Sequence, residues 1–356
     1  MQLFGLGRPQ PALGVDIGVN AVHAVQLIPH EDRYRIGCVA QLQIPATIMA
    51  EDEINDIGQL GTMLKQLRQQ CGQQVREVVT AVAGTQVISK IISVTAGLSE
   101  TAIAEQIEVE ADSLIPFPLN EVSYDFESLG PTEDGTQERI LVTAARTESI
   151  NGRVEALNAA GFQTRIVDVE AQALWRATQH LLPHQHPQVI GHDQPLLLLD
   201  INPTNMLLLV MKGDEVLFSR HHNIGTDNLL KLLTDKQTPT ALVFEQLQQD
   251  DLTSFSELSL ADFTGNMWQQ ITRSLQLYQS STSGTADFSG LVLSGIGAEW
   301  PLVQRFLQQQ VSYPVVVLDP FALYPLPEGS QHLATHGPRY VQAIGLALRS
   351  FSAWHT

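Results

Sequence analysis

Two matching stretches, LGVDIGVNAVHAV at 13–25 and LLLDINPTNMLLL at 197–209, decide the fold of this chain. Each is a short apolar strand that ends in an aspartate, Asp16 or Asp200, and continues through a polar turn into a second apolar strand. Apolar runs on either side of turn-forming residues are typical of a β-hairpin. The stretches align without a gap around the aspartate, so the sequence predicts an internal duplication.

Composition bounds the class of protein. The 356 residues exceed a usual single core, and 44% hydrophobic with 16% charged residues is typical of a globular chain. The net charge of −18, with 20 scattered Lys and Arg, disfavours nucleic acid and direct adsorption to anionic lipid. No stretch approaches the length of a membrane span. We therefore expect any membrane association to be made through partner proteins.

The N-terminus and the two cysteines indicate the compartment. MQLFGLGRPQP lacks the pattern of a secretory signal, so we expect a cytoplasmic protein. Cys38 and Cys71 form no CxxC or Cys/His cluster. Because thiols stay reduced in that compartment, we expect two packing residues rather than a disulfide.

Periodicity predicts further elements. Strands are expected at 33–44, 76–84, 85–94, 122–129 and 139–145, and helices at 56–72, from Ser99 to Pro116, and at 147–161. A strand running into a helix is expected at 162–182, and again at 288–300 and beyond, with an apolar helix closing the chain at 337–351. The Pro- and His-rich stretch 183–194 is interpreted as a linker between two lobes, with His184, His186 and His192 in a solvated loop.

The acidic turns have a chemical interpretation when they are taken together. Backbone amides of tight glycine turns bind phosphate oxygens, and carboxylates hold Mg²⁺ through its waters. Two such turns in register, followed by the SGIG turn at 294–297, favour a nucleotide cleft. The alternatives stay open that Asp200 only caps its turn and that Gly295 and Gly297 only allow close packing.

At this point the chain resembles the actin-like ATPase superfamily of chaperones, sugar kinases, MreB and FtsA. Within it, the chain is similar to the PilM family of type IV pilus assembly proteins. The resemblance runs over almost the whole chain and is carried by 13–25, AVAGTQVISK at 81–90, EVEADSLIPFPLNEVSYDFESLG at 108–130, RIVDVEAQAL at 165–174 and AIGLALRSF at 343–351.

The resemblance implies an α/β fold: a duplicated actin-like ATPase fold of two lobes, with mixed sheets flanked by helices and two small inserted subdomains. The first subdomain would comprise 11–84 with 161–190 and 338–351, and a small α/β insertion would span 85–160. The second would comprise 195–227 and 271–335, and a helical insertion would span 228–270. Lys231 or Glu245 of that insertion would line the cleft or lie on a solvated helix surface.

The resemblance also implies roles for residues of the cleft. Asp16, Gly18 and Asn20 would form the first phosphate turn, and Asp200, Asn202 and Gly225 the second. Gly295 and Gly297 would approach the adenosine, and Asp16 and Asp200 would hold Mg²⁺ through water. Glu170 would lie near the metal and the attacking water, as the candidate catalytic acid.

Departures from the family pattern are concentrated at the phosphate turns. Val19 and Asn20 stand where relatives carry small hydroxyl residues, Asn202-Pro203 where glycine is usual, and His23 where lysine is common. The next turn reads Gly225-Thr226 in place of Gly-Gly. Proline removes one backbone donor. We therefore expect weak, degenerate binding of ATP and Mg²⁺, with little or no hydrolysis.

The leading functional hypothesis is a cytoplasmic scaffold of the inner-membrane type IV pilus assembly complex. It would bind the cytoplasmic N-terminal peptide of a PilN-like membrane protein, and would meet other pilus assembly proteins including the motor ATPases. Candidate groove residues are Val87, Ile88, Ile115, Phe117 and Leu119, for which core packing is the alternative. Other hypotheses are an active ATPase or kinase of the superfamily, and an FtsA-like filament protein.

Overall fold

The computed structural model describes residues 11–31, 33–50, 53–132, 134–191, 193–234, 238–281 and 287–352. Two five-stranded sheets form its centre. The first sheet contains β1 (Leu13–Ile17), β2 (Ala21–His30), β3 (Arg33–Gln43), β6 (Glu77–Val82) and β10 (Gln163–Val169). Between β3 and β6 lie the two-residue strands β4 (Met49–Ala50) and β5 (Glu53–Ile54) and helix α1 (Ile57–Cys71).

The second sheet contains β11 (Leu196–Ile201), β12 (Met206–Lys212), β13 (Glu215–His222), β14 (Leu291–Ser294) and β15 (Val315–Val317). The strand orders are β10-β6-β1-β2-β3 and β13-β12-β11-β14-β15. In each sheet the strand that carries the aspartate is antiparallel to its hairpin partner and parallel to the strand on its other side. The predicted duplication is therefore confirmed in topology as well as in sequence.

A smaller three-stranded sheet is inserted between β6 and β10. It consists of β7 (Val87–Thr95), β8 (Val122–Pro131) and β9 (Gln137–Arg146) in the order β7-β9-β8, with α2 (Glu100–Leu114) packed on it. We call residues 87–146 the inserted sheet. The helix that follows, α3 (Thr147–Ala159), contributes Ala156 and Leu157 to the core of the first half.

Helices complete the second half and the centre. They are α4 (Glu170–Gln185), α5 (Thr226–Leu233), α6 (Thr240–Gln248), α7 (Glu257–Ser281), α8 (Pro301–Gln310), α9 (Pro320–Leu323) and α10 (Val341–Arg349). Helix α7 is continuous through residue 270, at which the helical insertion was expected to end. The largest core cluster joins side chains of both sheets to α4 and α10, including Val25, Leu174, Leu198 and Ile344.

Most predicted helices and strands are confirmed. In these elements the caps, turn residues and apolar spacing read from the sequence agree with the way the element packs. The Asp56 side chain accepts a hydrogen bond from the amide of Gln59 at the start of α1, and Gly72 ends that helix with a φ of 92°. Its apolar positions Leu60, Leu64 and Leu67 are all buried. The alternating pattern of residues 13–17 and 21–30 likewise forms the predicted hairpin.

Two boundary predictions are wrong. The stretch 183–194 is not wholly a loop, because α4 continues through Pro183 to Gln185 and a 3-10 helix follows at Pro187–Val189. His184 lies on α4, His186 is within 3.0 Å of the Val317 carbonyl oxygen, and His192 is outside the described residues. The C-terminal α-helix begins only at Val341, after a 3-10 segment Gln331–Tyr340 that contains Pro338.

The prediction that the cysteines are separate packing residues is also wrong. Cys38 on β3 and Cys71 at the end of α1 form a disulfide, with Cα atoms 5.3 Å apart. The two residues are 33 positions apart in the chain. Helix α1 packs across β3 and brings the sulfurs together, which spacing in the sequence did not indicate.

Candidate functional site

The two aspartate turns face one cavity of about 200 Å³ between the two sheets. The first turn contributes Gly18, Val19 and Asn20, and the second contributes Asn202 and Pro203. Further lining residues come from several elements: His23 on β2, Arg153 on α3, Glu170 on α4, Phe244 on α6, and Ile296, Arg339 and Gln342 toward the C-terminus. Residues of both predicted turns therefore line one cavity, and the duplicated topology places the two turns opposite each other.

The first acid is held by the C-terminal helix. The amide nitrogen of Gln342 on α10 donates to Asp16 Oδ1 at 2.9 Å. The other oxygen, Oδ2, lies 3.8 Å from Nδ1 of His23. The amide of Gly18 closes its turn by donating to the carbonyl oxygen of Ala21 at 3.0 Å. Asp16 thus lines the cavity with both oxygens facing protein groups.

The second acid is buried behind its turn. Asp200 is 4% exposed and is not among the residues that line the cavity. Ser294 donates to its Oδ1 at 2.6 Å, and the side chain of Asn202 donates to its Oδ2 at 2.6 Å. Burial raises the pKa of Asp200 to about 6, and the hydrogen bond from Ser294 opposes that rise.

The second turn packs against the start of α5. The amides of Thr226 and Asp227 donate to the carbonyl oxygens of Asn202 and Pro203 at 3.0 and 2.8 Å. A Cβ atom at Gly225 would lie 2.3 Å from the Asn202 oxygen, so glycine is required there by close backbone approach. The Asn202 amide donates within the turn and Pro203 has none. Thr204 and Asn205 also line the cavity, and among the described backbone hydrogen bonds neither of their amides donates to a protein acceptor.

The candidate catalytic acid occupies the junction of the two halves. Glu170, the first residue of α4, is 7% exposed and accepts a 3.2 Å hydrogen bond from the Gly84 amide at Oε2. Nε2 of His221 on β13 lies 3.5 Å from the same oxygen. Burial lowers the pKa of His221 to about 4, so its imidazole is neutral near pH 7. No sequence pattern indicates His221, because only the tertiary fold brings β13 to Glu170.

The glycine turn after β14 packs against the second aspartate strand. Gly295 has a φ of 78°, and a Cβ atom there would lie 2.5 Å from the Ile201 carbonyl oxygen. A Cβ atom at Gly297 would lie 2.4 Å from Cγ2 of Ile201. Both glycines therefore serve close packing in this structure, and Ile296 between them lines the cavity.

An aromatic side chain and a cationic side chain, Phe244 and Arg339, lie together beside this turn. The sequence did not indicate this pair. The Arg339 guanidinium is 5.2 Å from the centre of the Phe244 ring, and both side chains line the cavity. Arg339 also donates from Nε and Nη2 to Glu299 at 2.6 and 2.7 Å. His336 lies 3.2 Å from the same carboxylate. Lys231 and Glu245 are not among the lining residues.

These contacts test whether the residues fit a metal-bound nucleotide. Amides at the two turns and the Arg339 side chain are suited to an anion. The three acids expected near Mg²⁺ already accept hydrogen bonds from protein groups. Among the described ranges, no group of three or more His, Cys, Asp or Glu side chains is placed to hold a metal. The residues that line and support the cavity therefore fit a phosphate group better than they fit Mg²⁺.

The candidate groove residues fall on both faces of the inserted sheet. Ile88 pairs in register with Ala144, which shares a cluster with Ile115 and Phe117. Val87 pairs with Ala145 and so lies on the opposite face. Ile115 is 3% exposed, whereas Leu119 is 36% exposed. The Arg146 guanidinium lies 4.6 Å from the centre of the Phe117 ring.

The duplicated sheets, the facing acidic turns and the helices between them define the class: this is an actin-like ATPase fold. The chain belongs to the family described as type IV pilus assembly protein PilM, whose model matches residues 14–351.

Two solved structures share this fold. The chain is similar to one described as a PilM-PilN type IV pilus biogenesis complex, with a TM-score of 0.79, 24% identity, and coverage of 97% of this chain and 100% of that one. It is also similar in fold to the ethanolamine utilization protein EutJ from Carboxydothermus hydrogenoformans, with a TM-score of 0.52, 14% identity, and coverage of 96% and 90%. Across the described ranges, no helix has the length and hydropathy needed to cross a membrane.

Proposed function

We propose that this chain is a cytoplasmic scaffold of the inner-membrane type IV pilus assembly complex that recognises the N-terminal peptide of a PilN-like membrane protein. Membership of the PilM family supports the role in pilus assembly. The similar solved structure is described as a complex of PilM with PilN, which supports that class of partner. The chain would reach the inner membrane through such partners, and contacts with motor ATPases are part of the same proposal.

The observation that most supports a scaffold rather than an enzyme is that the acids of the cleft are already hydrogen-bonded to protein groups. Asp16, Asp200 and Glu170 each accept a hydrogen bond from a protein donor. Magnesium prefers near-octahedral oxygen coordination and is held by one or two carboxylates together with its waters. Of these three acids, Asp16 and Glu170 line the cavity and Asp200 does not. Efficient phosphoryl transfer depends on that metal. We therefore propose that ATP binds weakly and is hydrolysed slowly or not at all.

The partner surface of the proposal lies around Ile88 on the edge strand β7 and Phe117, together with the exposed Leu119 two residues further along the chain. Leu119 is 36% exposed, and Phe117 is partly buried with Arg146 on its ring. Val87 and the buried Ile115 would support the groove rather than contact the peptide. The region 87–146 has eleven acidic residues and three basic ones, which favours a peptide with Lys or Arg beside its apolar anchors.

The test is fluorescence anisotropy of a labelled peptide that copies the cytoplasmic N-terminus of the PilN-like protein of the same organism, with and without Mg-ATP. We expect saturable binding that Leu119→Ser weakens and that high salt reduces. Ile91→Ser is the matched control, because Ile91 is 46% exposed and lies next to Leu141 on the opposite sheet face. Absence of binding together with steady ATP consumption would instead favour an active ATPase or kinase.

A further inference from the structure

The inserted sheet shares no buried apolar cluster with the rest of the described residues, and near its exit β8 and β9 contact α3. Its two buried clusters contain only residues of the inserted sheet itself, such as Val94, Ile107 and Val142 in one and Leu114 and Ala144 in the other. The chain enters it through the 3-10 helix Gly84–Gln86 and leaves it at Arg146, where α3 begins. A body with its own core and two adjacent connections can rotate about them.

Strand β13 of the second sheet contacts the inserted sheet at its far end. Nη1 and Nη2 of Arg139 on β9 donate to Oε1 and Oε2 of Glu215, both at 2.8 Å. This paired geometry is the strongest that a guanidinium and a carboxylate form. The hydrogen bond with Arg139 holds the pKa of Glu215 below its ordinary value, so the carboxylate is charged near neutral pH. We call this ion pair the latch.

The same strand contacts the attachment of the inserted sheet at its other end. His221 lies close to Gly84, the first residue of the entering 3-10 helix, and a Cβ atom at Gly84 would be 2.4 Å from His221 Nε2. The imidazole also lies 3.5 Å from Glu170, a lining residue of the cavity. One strand therefore touches the cavity wall, the hinge of the inserted sheet and its far end.

The position of the latch makes it effective. Arg139 lies seven residues from the exit at Arg146, which corresponds to roughly 24 Å along an extended strand. A restraint that far from a hinge limits rotation more than any contact near the hinge. Leu217, which lies between the two contacts on β13, is 41% exposed, and Ile91 on β7 is 46% exposed, so neither of these apolar side chains is buried in a contact that would duplicate the restraint.

We propose that β13, through the Arg139–Glu215 latch, fixes the inserted sheet in the orientation that binds the partner peptide and couples this groove to the cavity. The inference rests on the proposed function for the identity of the groove. A ligand in the cavity that moves Glu170, which lines the cavity, shifts His221 on β13 and with it Glu215. Because coupling between sites is reciprocal, peptide binding alters the cavity to the same extent.

The first test measures the latch without any peptide. Spin labels at Val109→Cys on α2 and Leu258→Cys on α7, which are 85% and 70% exposed, report the distance between the inserted sheet and the second half by pulsed electron paramagnetic resonance. We expect one narrow distribution in the parent protein and a broad one in Arg139→Gln and in Glu215→Gln. The exchanged pair Arg139→Glu with Glu215→Arg should narrow it again.

The matched control is a second paired ion pair, formed by Arg305 and Asp250 within the second half. Arg305→Gln should leave the distance distribution unchanged. An unchanged distribution in Arg139→Gln, or no narrowing in the exchanged pair, would overturn the latch. The midpoint of thermal unfolding is measured for each variant. A midpoint equal to that of the parent protein shows that a broad distribution reflects rotation of a folded inserted sheet and not its unfolding.

The second test uses the labelled peptide. Release of the latch lowers the fraction of molecules in the binding orientation, so we expect Kd to rise about threefold in Arg139→Gln and Glu215→Gln and to recover in the exchanged pair. A broadened distribution with unchanged Kd would overturn the coupling to the groove. If the parent protein binds no peptide, the proposed function fails, and the distance measurement still decides whether the latch exists.

Discussion

Ser294, at the end of β14, donates a 2.6 Å hydrogen bond to Asp200, at the end of the neighbouring strand β11, and both side chains are buried. The two strands are parallel, and their register places Asp200 opposite Ser294. The acid that opens the second turn is therefore bonded to a neighbouring strand and not directed into the cavity. This contact is what most separates the second turn from the first, where Asp16 lines the cavity.

Protonation of Asp200 should stabilise the fold. Its pKa is about 6 in the folded protein and about 3.9 in an unfolded chain, so the folded state binds the proton more tightly. The free energy of unfolding should therefore gain a contribution of about 2 kcal/mol as pH falls from 6 to 4, because over that range the carboxyl takes up its proton in the folded protein but only partly in the unfolded chain. Urea unfolding of the parent and Asp200→Asn at both pH values measures the difference. Equal pH dependence in the two proteins would contradict it.

Pro203→Gly should strengthen nucleotide binding. The substitution adds one backbone donor to a turn in which Thr204 and Asn205 are otherwise the available amides. A hydrogen bond to a charged acceptor contributes about 1.5 kcal/mol, so a fluorescent ATP analogue should bind up to about tenfold more tightly. Pro327→Gly, in a loop away from the cavity, is the control for general loosening of the chain. No gain over that control would show that the turn does not face phosphate.

Arg339→Gln should destabilise the protein far more than Arg305→Gln. The Glu299 side chain is 1% exposed, and Arg339 donates two hydrogen bonds to it. Removing one member of a buried pair costs about 3–5 kcal/mol. The remaining contacts of Glu299 with His336 and Gln248 place the expected loss at the lower end of that range. Arg305 and Asp250 are 49% and 35% exposed, so the loss there should stay below about 1 kcal/mol. Chemical denaturation compares the two, and similar losses would be inconsistent with a buried pair.

Reduction of the Cys38–Cys71 disulfide should lower the stability of the first half. The bridge closes a loop between residues 33 positions apart, for which the loop-entropy relation gives about 3–4 kcal/mol. Urea unfolding with and without dithiothreitol should show this difference in the parent protein and none in Cys71→Ser. Reductant-independent unfolding of the parent would mean that the thiols are not joined in solution.

Local patterns were sufficient for most of the fold. The alternating runs around Asp16 and Asp200 specify two hairpins, because side chains in a strand alternate between faces. The cap at Asp56, the glycine at 72 and the spacing of Leu60, Leu64 and Leu67 likewise specify α1. Such signals depend on neighbouring residues in the chain, and so a single sequence contains them.

The tertiary structure decided the contacts between residues distant in the chain. The disulfide, the burial of Asp200 behind Ser294, the approach of His221 to Glu170 and the Arg139–Glu215 latch all join separate elements. Each depends on how strands and helices pack, and packing is a property of the whole chain. The sequence by itself therefore determined the duplicated halves and the acidic turns, while packing decided which of these acids faces the cavity.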